Sequence, residues 1–240
     1  MTRRFCQCLS AGMSVVCLLL ATSQPASATI VFDDHFTGDS GGIPADWFLI
    51  GGTGAVVEQG TTVTLGQEGV GGDVIIGSNA TIDPSSGTIT IEADFVGIVG
   101  QGASGLISGA EFTSPLFFCA IRLEGGRIEV NIRDAEGGFE WYDVGYLAGY
   151  SGGPIRLTVI LGPMWFSVST DSPPFSSGPI DYTAAFTAFT REDLGTAAHV
   201  MLFDYGDPGT TIVDRILVDV EGGTPVESVT FGQIKALYRR

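Results

Sequence analysis

Residues 88–95, which read TITIEADF, decide the fold class, because apolar and polar side chains alternate along them with a period of two. Alternate side chains of an extended chain point to opposite sides. One side then carries Ile89, Ile91, Ala93 and Phe95, and the other carries Thr88, Thr90, Glu92 and Asp94. The stretch therefore predicts a β-strand with one face in a core and the other in water.

Similar segments recur from about residue 30 to residue 220, separated by glycine or proline clusters at the spacing of roughly 8–12 residues that is typical of sandwiches and barrels. Further strands are predicted at residues 155–161, 165–170, 198–203 and 211–220. Because strands do not alternate with helices, the sheets should be antiparallel. Helix is expected only at residues 190–194, with Thr190 as its cap, and at residues 231–238 near the C-terminus.

A hairpin with a defined register is predicted around Gly125-Gly126, a pair that suits a tight two-residue turn. Pairing Glu124 with Arg127 collects the apolar side chains of residues 117–124 and 127–133 on one face. The other face then places Arg122 opposite Glu129.

Composition excludes several classes of protein. The 240 residues include 27 acidic and 11 basic side chains, a formal charge of −16. So acidic a chain gains nothing from counterion release on nucleic acid and is repelled by anionic lipid, so neither is an expected partner. Disorder is excluded by a content of 44% hydrophobic and 10% aromatic residues.

The N-terminus has the pattern of a secretory signal peptide. Arg3 and Arg4 precede an apolar run over residues 9–21, and small residues at 26–28 suit cleavage near Ala28. The run is shorter than the roughly 20 residues that cross a bilayer, so no membrane span is expected in the mature chain. The predicted organisation is a signal peptide at 1–28, a sandwich at 29–221 and a linker with a C-terminal tail at 222–240. The predicted location is extracellular, on the cell surface or periplasmic.

Cleavage would leave one cysteine, Cys119, within the apolar residues 116–121. A small buried residue is its expected role, rather than a nucleophile. Residues 29–221 hold six basic and 26 acidic residues, a charge of −20, whereas Lys235, Arg239 and Arg240 make the tail basic.

The start of the predicted sandwich resembles exported bacterial domains of the concanavalin A-like (laminin G-like) jelly-roll superfamily. The resemblance is carried by IVFDDHF at residues 30–36, followed by Gly42-Ile43-Pro44 and Trp47. Residues 155–161 with 166–169 are similar to the paired central strands of these domains, and residues 213–218 to their last strand. The resemblance implies an antiparallel two-sheet jelly-roll sandwich whose last strand returns beside the first. It also implies a concave face or rim that commonly binds sugar, and often a structural calcium ion.

Some members of this superfamily are glycoside hydrolases with a Glu-x-Asp-x-x-Glu strand motif, or the same motif one residue shorter, which supplies two carboxylates about 5 Å apart. Glu92-Ala93-Asp94 begins such a motif, but Phe95, Val96 and Gly97 follow and the second glutamate is missing. We therefore predict a non-catalytic carbohydrate-binding or surface adhesion module. A structural envelope or extracellular-matrix protein without a sugar site and a degenerate glycoside hydrolase stay as alternatives.

Candidate ligand-binding residues lie in the aromatic stretch at 139–150, because aromatic rings pack on sugar rings while nearby polar groups bind the hydroxyls. They are Trp141, Tyr142, Tyr146 and Tyr150, together with Arg122, Asn131 and Arg133 of the hairpin. Tyr146 and Tyr150, set between glycines, should be the most exposed. In the alternative interpretation, Phe139 and Trp141 turn into the core, the tyrosines cap a sheet edge, and the hairpin residues form a solvated ladder.

Two further sites are predicted. A structural calcium ion would take its oxygen ligands from Asp33, Asp34, Asp204, Asp207 and Asp214, although no contiguous calcium loop is present. Residues 230–239 resemble short C-terminal endings of exported bacterial proteins, which implies a sorting or surface-attachment partner for residues 226–240. Alternatively, this tail is an amphipathic turn docked on the sandwich, or a frayed end.

Overall fold

The structure is a computed structural model that describes residues 28–66 and 72–221, except for the side chains of Ala28 and residues 206–208. Residues 1–27 of the predicted signal peptide at 1–28 and the tail at 222–240, with its predicted helix, lie outside the described residues. Among the residues described, no helix is long and apolar enough to cross a membrane.

The regular secondary structure of the described chain consists almost entirely of strands. They are β1 (Ala28–Asp34), β2 (Trp47–Gly52), β3 (Val56–Gln59), β4 (Thr62–Gly66), β5 (Val74–Ile82), β6 (Ile89–Ile107), β7 (Leu116–Arg122), β8 (Arg127–Arg133), β9 (Phe139–Tyr146), β10 (Ile155–Leu161), β11 (Trp165–Asp171), β12 (Pro174–Ser176), β13 (Ile180–Asp181) and β14 (Ala198–Glu221). Short helical turns occur at Glu124–Gly126, Arg191–Leu194 and, as the α-helix α1, Tyr182–Ala185. The class is all-β and antiparallel, as predicted.

Two long strands, β6 and β14, run through both layers of the sandwich. Residues 89–95 of β6 pair with β10 and with the second half of β14, whereas residues 101–107 pair with β7 and with the first half of β14. The strands thus form one curled antiparallel sheet with two facing parts. We call the part containing β1, β10 and β11 the outer layer. The part with the strand order β9-β8-β7-β6-β14-β5-β2 is the groove layer.

The core lies between these layers, where the ring of Phe117 on β7 is 5.5 Å from that of Phe166 on β11. The faces predicted for residues 88–95 are confirmed, because the four apolar side chains are buried and the polar ones lie on the other face. The strand is longer than predicted. Its alternation is lost at residues 96–100, where the chain bends at Gly100 (φ 92°), but pairing with β14 continues beyond the bend.

The hairpin of β7 and β8 has the predicted faces but not the predicted register. Arg122, rather than Glu124, pairs with Arg127, because the helical turn Glu124–Gly126 lengthens the loop. A shift of two residues keeps each side chain on its own face, since the period of a strand is two. Cys119 is fully buried, as predicted, and burial raises the pKa of its thiol.

The strand pairing and the short helical turns settle several other sequence predictions. The last strand returns beside the first, because β14 pairs with β1, and β10 pairs with β11. The strands predicted at 198–203 and 211–220 are parts of one strand, β14. The helical turn predicted at 190–194 is present as Arg191–Leu194, with Thr190 and Asp193 forming a capping box.

Candidate functional site

The outward face of the groove layer forms a groove with a volume of about 670 Å³. Its floor contains polar side chains from three adjacent strands: Gln101 on β6, Arg122 on β7, and Glu129 and Asn131 on β8. Aromatic side chains line both sides, with Phe139 and Trp141 on β9 and Phe203 and Tyr205 on β14. This groove is the candidate functional site.

Strand β8 supplies the polar row of the groove because its sequence, RIEVNIR, alternates strictly. Its isoleucines and valine point into the core, so Arg127, Glu129, Asn131 and Arg133 point into the groove. Neighbours in such a row are about 7 Å apart, so the row is about 20 Å long. It can therefore contact several units of an extended ligand.

The floor of the groove contains a buried carboxylate, that of Glu129, which is paired with an arginine. Glu129 is only 4% exposed, and its Oε1 accepts hydrogen bonds from Arg122 Nη2 at 2.7 Å and from Gln101 Nε2 at 3.2 Å. The predicted contact between Arg122 and Glu129 is thus present, although the two residues are diagonal rather than opposite. The ion pair compensates the cost of burying the charge.

Other polar atoms of the groove are buried without a hydrogen-bond partner among the described residues. They are Gln101 Oε1, Asn131 Nδ2 and the Nε atoms of Arg122 and Arg133. Leaving such an atom unsatisfied costs about 1–3 kcal/mol. The floor of the groove therefore contains an acceptor and three donors that the described residues do not engage.

Four of the predicted ligand-binding residues, Arg122, Asn131, Arg133 and Trp141, line the groove together. Trp141 is 56% exposed, and Phe139 is exposed on the same face, so the alternative in which both turn into the core is wrong. The alternative of a solvated ladder is also wrong for Asn131, which is 7% exposed.

The three tyrosines lie elsewhere. Tyr142 points into the core, where its ring is 6.4 Å from that of Phe166. Tyr146 is 59% exposed, but it lies outside the groove lining, with its ring 5.9 Å from the guanidinium carbon of Arg127. Tyr150 is half-buried, contrary to the prediction, and its hydroxyl donates to the carbonyl of Gly153 at 2.8 Å. Burial raises the pKa of Tyr150 to about 12.

Several groove residues were not predicted. Glu129 lies on the alternating strand β8, and the sequence identifies it only as a partner of Arg122. Gln101 lies beyond the alternating stretch of β6, where no local pattern assigns its face. Phe112 and Tyr205 carry no local signal, because the loop before β7 and the middle of β14 meet the groove only after the sheet curls.

The carboxylates predicted to bind calcium have separate environments. Asp33 accepts from Arg215 Nε at 2.8 Å, and this hydrogen bond lowers the pKa of the carboxyl. Asp34 accepts from the indole nitrogen of Trp47 at 2.7 Å. Asp204 is fully buried and accepts from Thr211 Oγ1 at 2.7 Å.

Burial raises the pKa of Asp204 to about 7, and the charge of Asp73 adds to the rise. Asp214 is half-exposed on β14, and the side chain of Asp207 lies outside the described residues. Within the described parts of the chain, no group of three or more His, Cys, Asp or Glu side chains could hold a metal ion. The structure therefore does not bring Asp33, Asp34 and Asp204 together, and the calcium ion stays a prediction.

The incomplete hydrolase motif lies away from the groove. Glu92 and Asp94 are on the solvent face of the outer layer, where Arg156 donates to both oxygens of Asp94 at 2.6 and 2.9 Å. They are structural partners of an arginine on the neighbouring strand.

The fold is shared with solved structures of low sequence identity. A Bacillus subtilis protein of unknown function with a galectin-like fold has a TM-score of 0.55 at 11% identity, with 80% of this chain and 97% of that chain covered. A glycosyl hydrolase family 16 protein from Mycobacterium smegmatis has a TM-score of 0.54 at 15% identity, covering 79% and 100%. An endo-1,3-beta-glucanase from Streptomyces sioyaensis has a TM-score of 0.51 at 12% identity, covering 83% and 98%.

No protein-family model matches the sequence. No curated protein matches it either. The structural likenesses show the fold, which is the concanavalin A-like jelly roll that the sequence resemblance implied.

Proposed function

We propose that this protein is an exported, non-catalytic carbohydrate-binding or adhesion protein that holds an oligosaccharide in the groove. The observation that carries the proposal is the combination of unpartnered polar atoms in the floor with an exposed tryptophan beside them. A sugar ring matches both, because its hydroxyls donate and accept hydrogen bonds while its C–H faces are apolar.

Trp141 and Asn131 form the centre of the proposed site. They are directly opposite each other on β9 and β8. Such cross-strand neighbours have Cβ atoms about 5 Å apart on one face of the sheet. A sugar ring packed on the indole would therefore bring its hydroxyls to the Nδ2 donor of Asn131, and Gln101 and Arg122 supply further partners.

The fold supports a sugar ligand in general terms. Two of the solved structures that share it are named as a glucanase and as a glycosyl hydrolase. A structural envelope protein without a sugar site accounts less well for an exposed tryptophan beside those polar atoms.

Glycoside hydrolysis is a second candidate, because Glu129 and Asp143 lie opposite each other on the groove face. A retaining hydrolase needs two carboxyls about 5–5.5 Å apart, one of them protonated to act as the acid. Here each carboxylate has an arginine neighbour, Arg122 at 2.7 Å from Glu129 and Arg127 at 3.5 Å from Asp143. Both carboxylates are thus engaged by arginines of the protein, and neither is left free to act on a glycosidic bond, so we favour binding without catalysis.

A glycan array followed by calorimetry on the full chain tests the proposal. Trp141→Ala should weaken binding of an array hit at least tenfold, about 1.4 kcal/mol, whereas Tyr146→Ala on the same strand should leave it unchanged. Equal losses in the two variants, or an array without a hit, would contradict a sugar site in the groove. Release of reducing ends from the bound glycan, abolished by Glu129→Gln, would establish the hydrolase instead.

Export, the tail and calcium are separate parts of the proposal. N-terminal sequencing of the protein recovered outside the cytoplasm should begin near Thr29 if cleavage follows Ala28. Removal of residues 226–240 should release the protein from the cell surface if these residues have an attachment partner. A melting temperature that is the same in excess chelator and in millimolar calcium would contradict the predicted structural calcium ion.

A further inference from the structure

The basic residues of the sandwich are concentrated in the groove. Residues 29–221 contain six arginines and no lysine, against 26 acidic residues. Three of the six, Arg122, Arg127 and Arg133, line the groove. The remaining three are used structurally: Arg156 pairs with Asp94, Arg215 pairs with Asp33, and Arg191 donates to backbone carbonyls.

Within the groove, Arg133 differs from the two other arginines. Arg122 pairs with Glu129, and Arg127 lies 3.5 Å from Asp143. Arg133 has no carboxylate within ion-pair distance among the described residues, and its Nε is buried without a hydrogen-bond partner. It is therefore the guanidinium of the groove that has no described anionic partner.

The position of Arg133 is held by aromatic rings. Its guanidinium carbon is 5.4 Å from the ring centre of Phe112 and 5.5 Å from that of Phe139. Contact with two rings orients the planar group before any ligand arrives, which lowers the entropy lost on binding. The donors of a guanidinium held in this way match the paired oxygens of a carboxylate or a sulfate.

Arg133 also lies within reach of the proposed sugar. It is two residues from Asn131 on the same strand, a distance of about 7 Å along the groove. It is directly opposite Phe139, which lies two residues from Trp141. A sugar ring on Trp141, or the next unit along the chain, therefore places a substituent at Arg133.

We propose that the groove selects a glycan with an anionic substituent, a uronate carboxylate or a sulfate, and that Arg133 binds this anion. The inference rests on the proposed sugar site and names the ligand class of that site. Because the whole sandwich carries a charge of −20, discrimination has to come from this local contact rather than from the long-range field.

The experiment measures affinities of the full chain for matched pairs of short oligosaccharides. One pair is a uronate oligomer and its carboxyl-reduced form, and the other is a sulfated oligomer and its desulfated form. We expect one acidic oligomer to bind at least tenfold more tightly than its neutral match. The pair that shows the difference identifies the anion as carboxylate or sulfate.

Variants assign the preference to Arg133. Arg133→Gln should remove the preference, and Arg133→Lys should keep part of it. Arg215→Gln should keep it, although it makes the same change of charge, because Arg215 lies on the outer layer away from the groove. Equal losses in the Arg133→Gln and Arg215→Gln proteins would overturn the assignment.

The two proposals fail in different ways. Equal affinity for acidic and neutral oligomers, with binding still lost in Trp141→Ala, would overturn the anionic ligand and leave the sugar site standing. Absence of binding to every member of both pairs and of the glycan array would overturn the sugar site itself, and the anionic ligand with it.

Discussion

The two exposed faces of the sandwich are both polar, but they differ in how their polar atoms are satisfied. On the outer layer, Arg156 and Arg215 each donate twice to a single carboxylate, that of Asp94 or Asp33, at 2.6–2.9 Å. In the groove, Asn131 and Arg133 keep buried donors without a described partner. The difference separates a face whose arginines are paired with carboxylates from a face whose Arg133 and Asn131 have donors left for a ligand.

The largest effect is expected in the core that joins these faces. Phe117 on β7 is fully buried and contacts Phe166 of the other layer. Phe117→Ala should lower the free energy of unfolding by about 3–5 kcal/mol, because it leaves a cavity between the layers. Phe139→Ala, at an exposed position of the groove, should change it by about 0.5 kcal/mol or less. Urea unfolding measures both changes. A loss in Phe117→Ala that is as small as the loss in Phe139→Ala would show that the layers do not depend on this contact.

The next largest effect is a dependence of stability on pH. It is expected from a carboxyl buried behind the groove layer, and it has the opposite sign for a carboxyl on the outer layer. Asp204 has a pKa raised from 3.8 to about 7, so the folded state holds its proton more tightly than the unfolded state. Stability should therefore fall as the pH rises from 4 to 7 and level off above. At about 1.4 kcal/mol per pKa unit, the expected loss is up to about 4 kcal/mol.

Asp204→Asn should remove this dependence and stabilise the protein at pH 8, since the substitution eliminates the buried charge. Asp214→Asn, at a half-exposed position of the same strand, is the matched control. Unfolding free energies measured at pH 4 and pH 8 provide the test. A dependence that is the same in Asp204→Asn and in the unchanged protein would contradict the assignment to Asp204.

A smaller effect of opposite sign is expected on the outer layer. The pKa of Asp33 is lowered by its hydrogen bond from Arg215, so this pair stabilises the fold above pH 3.8 and the contribution is lost as the pH falls through the lowered pKa. Arg215→Gln should cost about 0.2–1 kcal/mol at neutral pH, as is usual for a partly exposed pair. The cost should shrink at pH 2, and a cost that grows there would contradict this sign.

The smallest effect on stability, with a large effect on binding, is expected in the groove. Asn131→Leu removes a buried donor that has no described partner, so the free energy of unfolding should change by less than about 1 kcal/mol or increase. Sugar binding should be lost in the same variant. A clear destabilisation would show that Asn131 has a structural partner, and the contrast between the two faces would weaken.

Much of the groove could be predicted from local pattern. The alternation of residues 127–133 placed Asn131 and Arg133 together on the face opposite the core, and the aromatic stretch at 139–150 pointed to Trp141. The local pattern could not show which tyrosines of that stretch are exposed and which pack against the core. Whether Tyr150 is exposed depends on a hydrogen bond to Gly153 and on packing against the core, and neither is a property of the local sequence.

The register of the β7–β8 hairpin and the length of β6 could not be predicted from the local sequence either. Gly125-Gly126 fits a two-residue turn, yet the chain forms a longer helical turn and shifts the pairing by two residues. Strand β6 continues beyond its alternating stretch because β14 pairs with it on both sides of the bend. Such pairing joins residues 92 to 131 positions apart, from His199 with Ile107 to Val220 with Ile89, so a local window does not contain it.

In alternating strands such as residues 89–95 and 127–133, the sequence by itself determined which side chains face the core, because a period of two follows from the extended backbone alone. Only the tertiary structure decided which surface would become a groove. Curling of the sheet brings Phe112 from a loop, Tyr205 from β14 and Trp141 from β9 around the polar row of β8. The residues that surround Arg133 are therefore set by long-range strand pairing, which also leaves its guanidinium without a described partner.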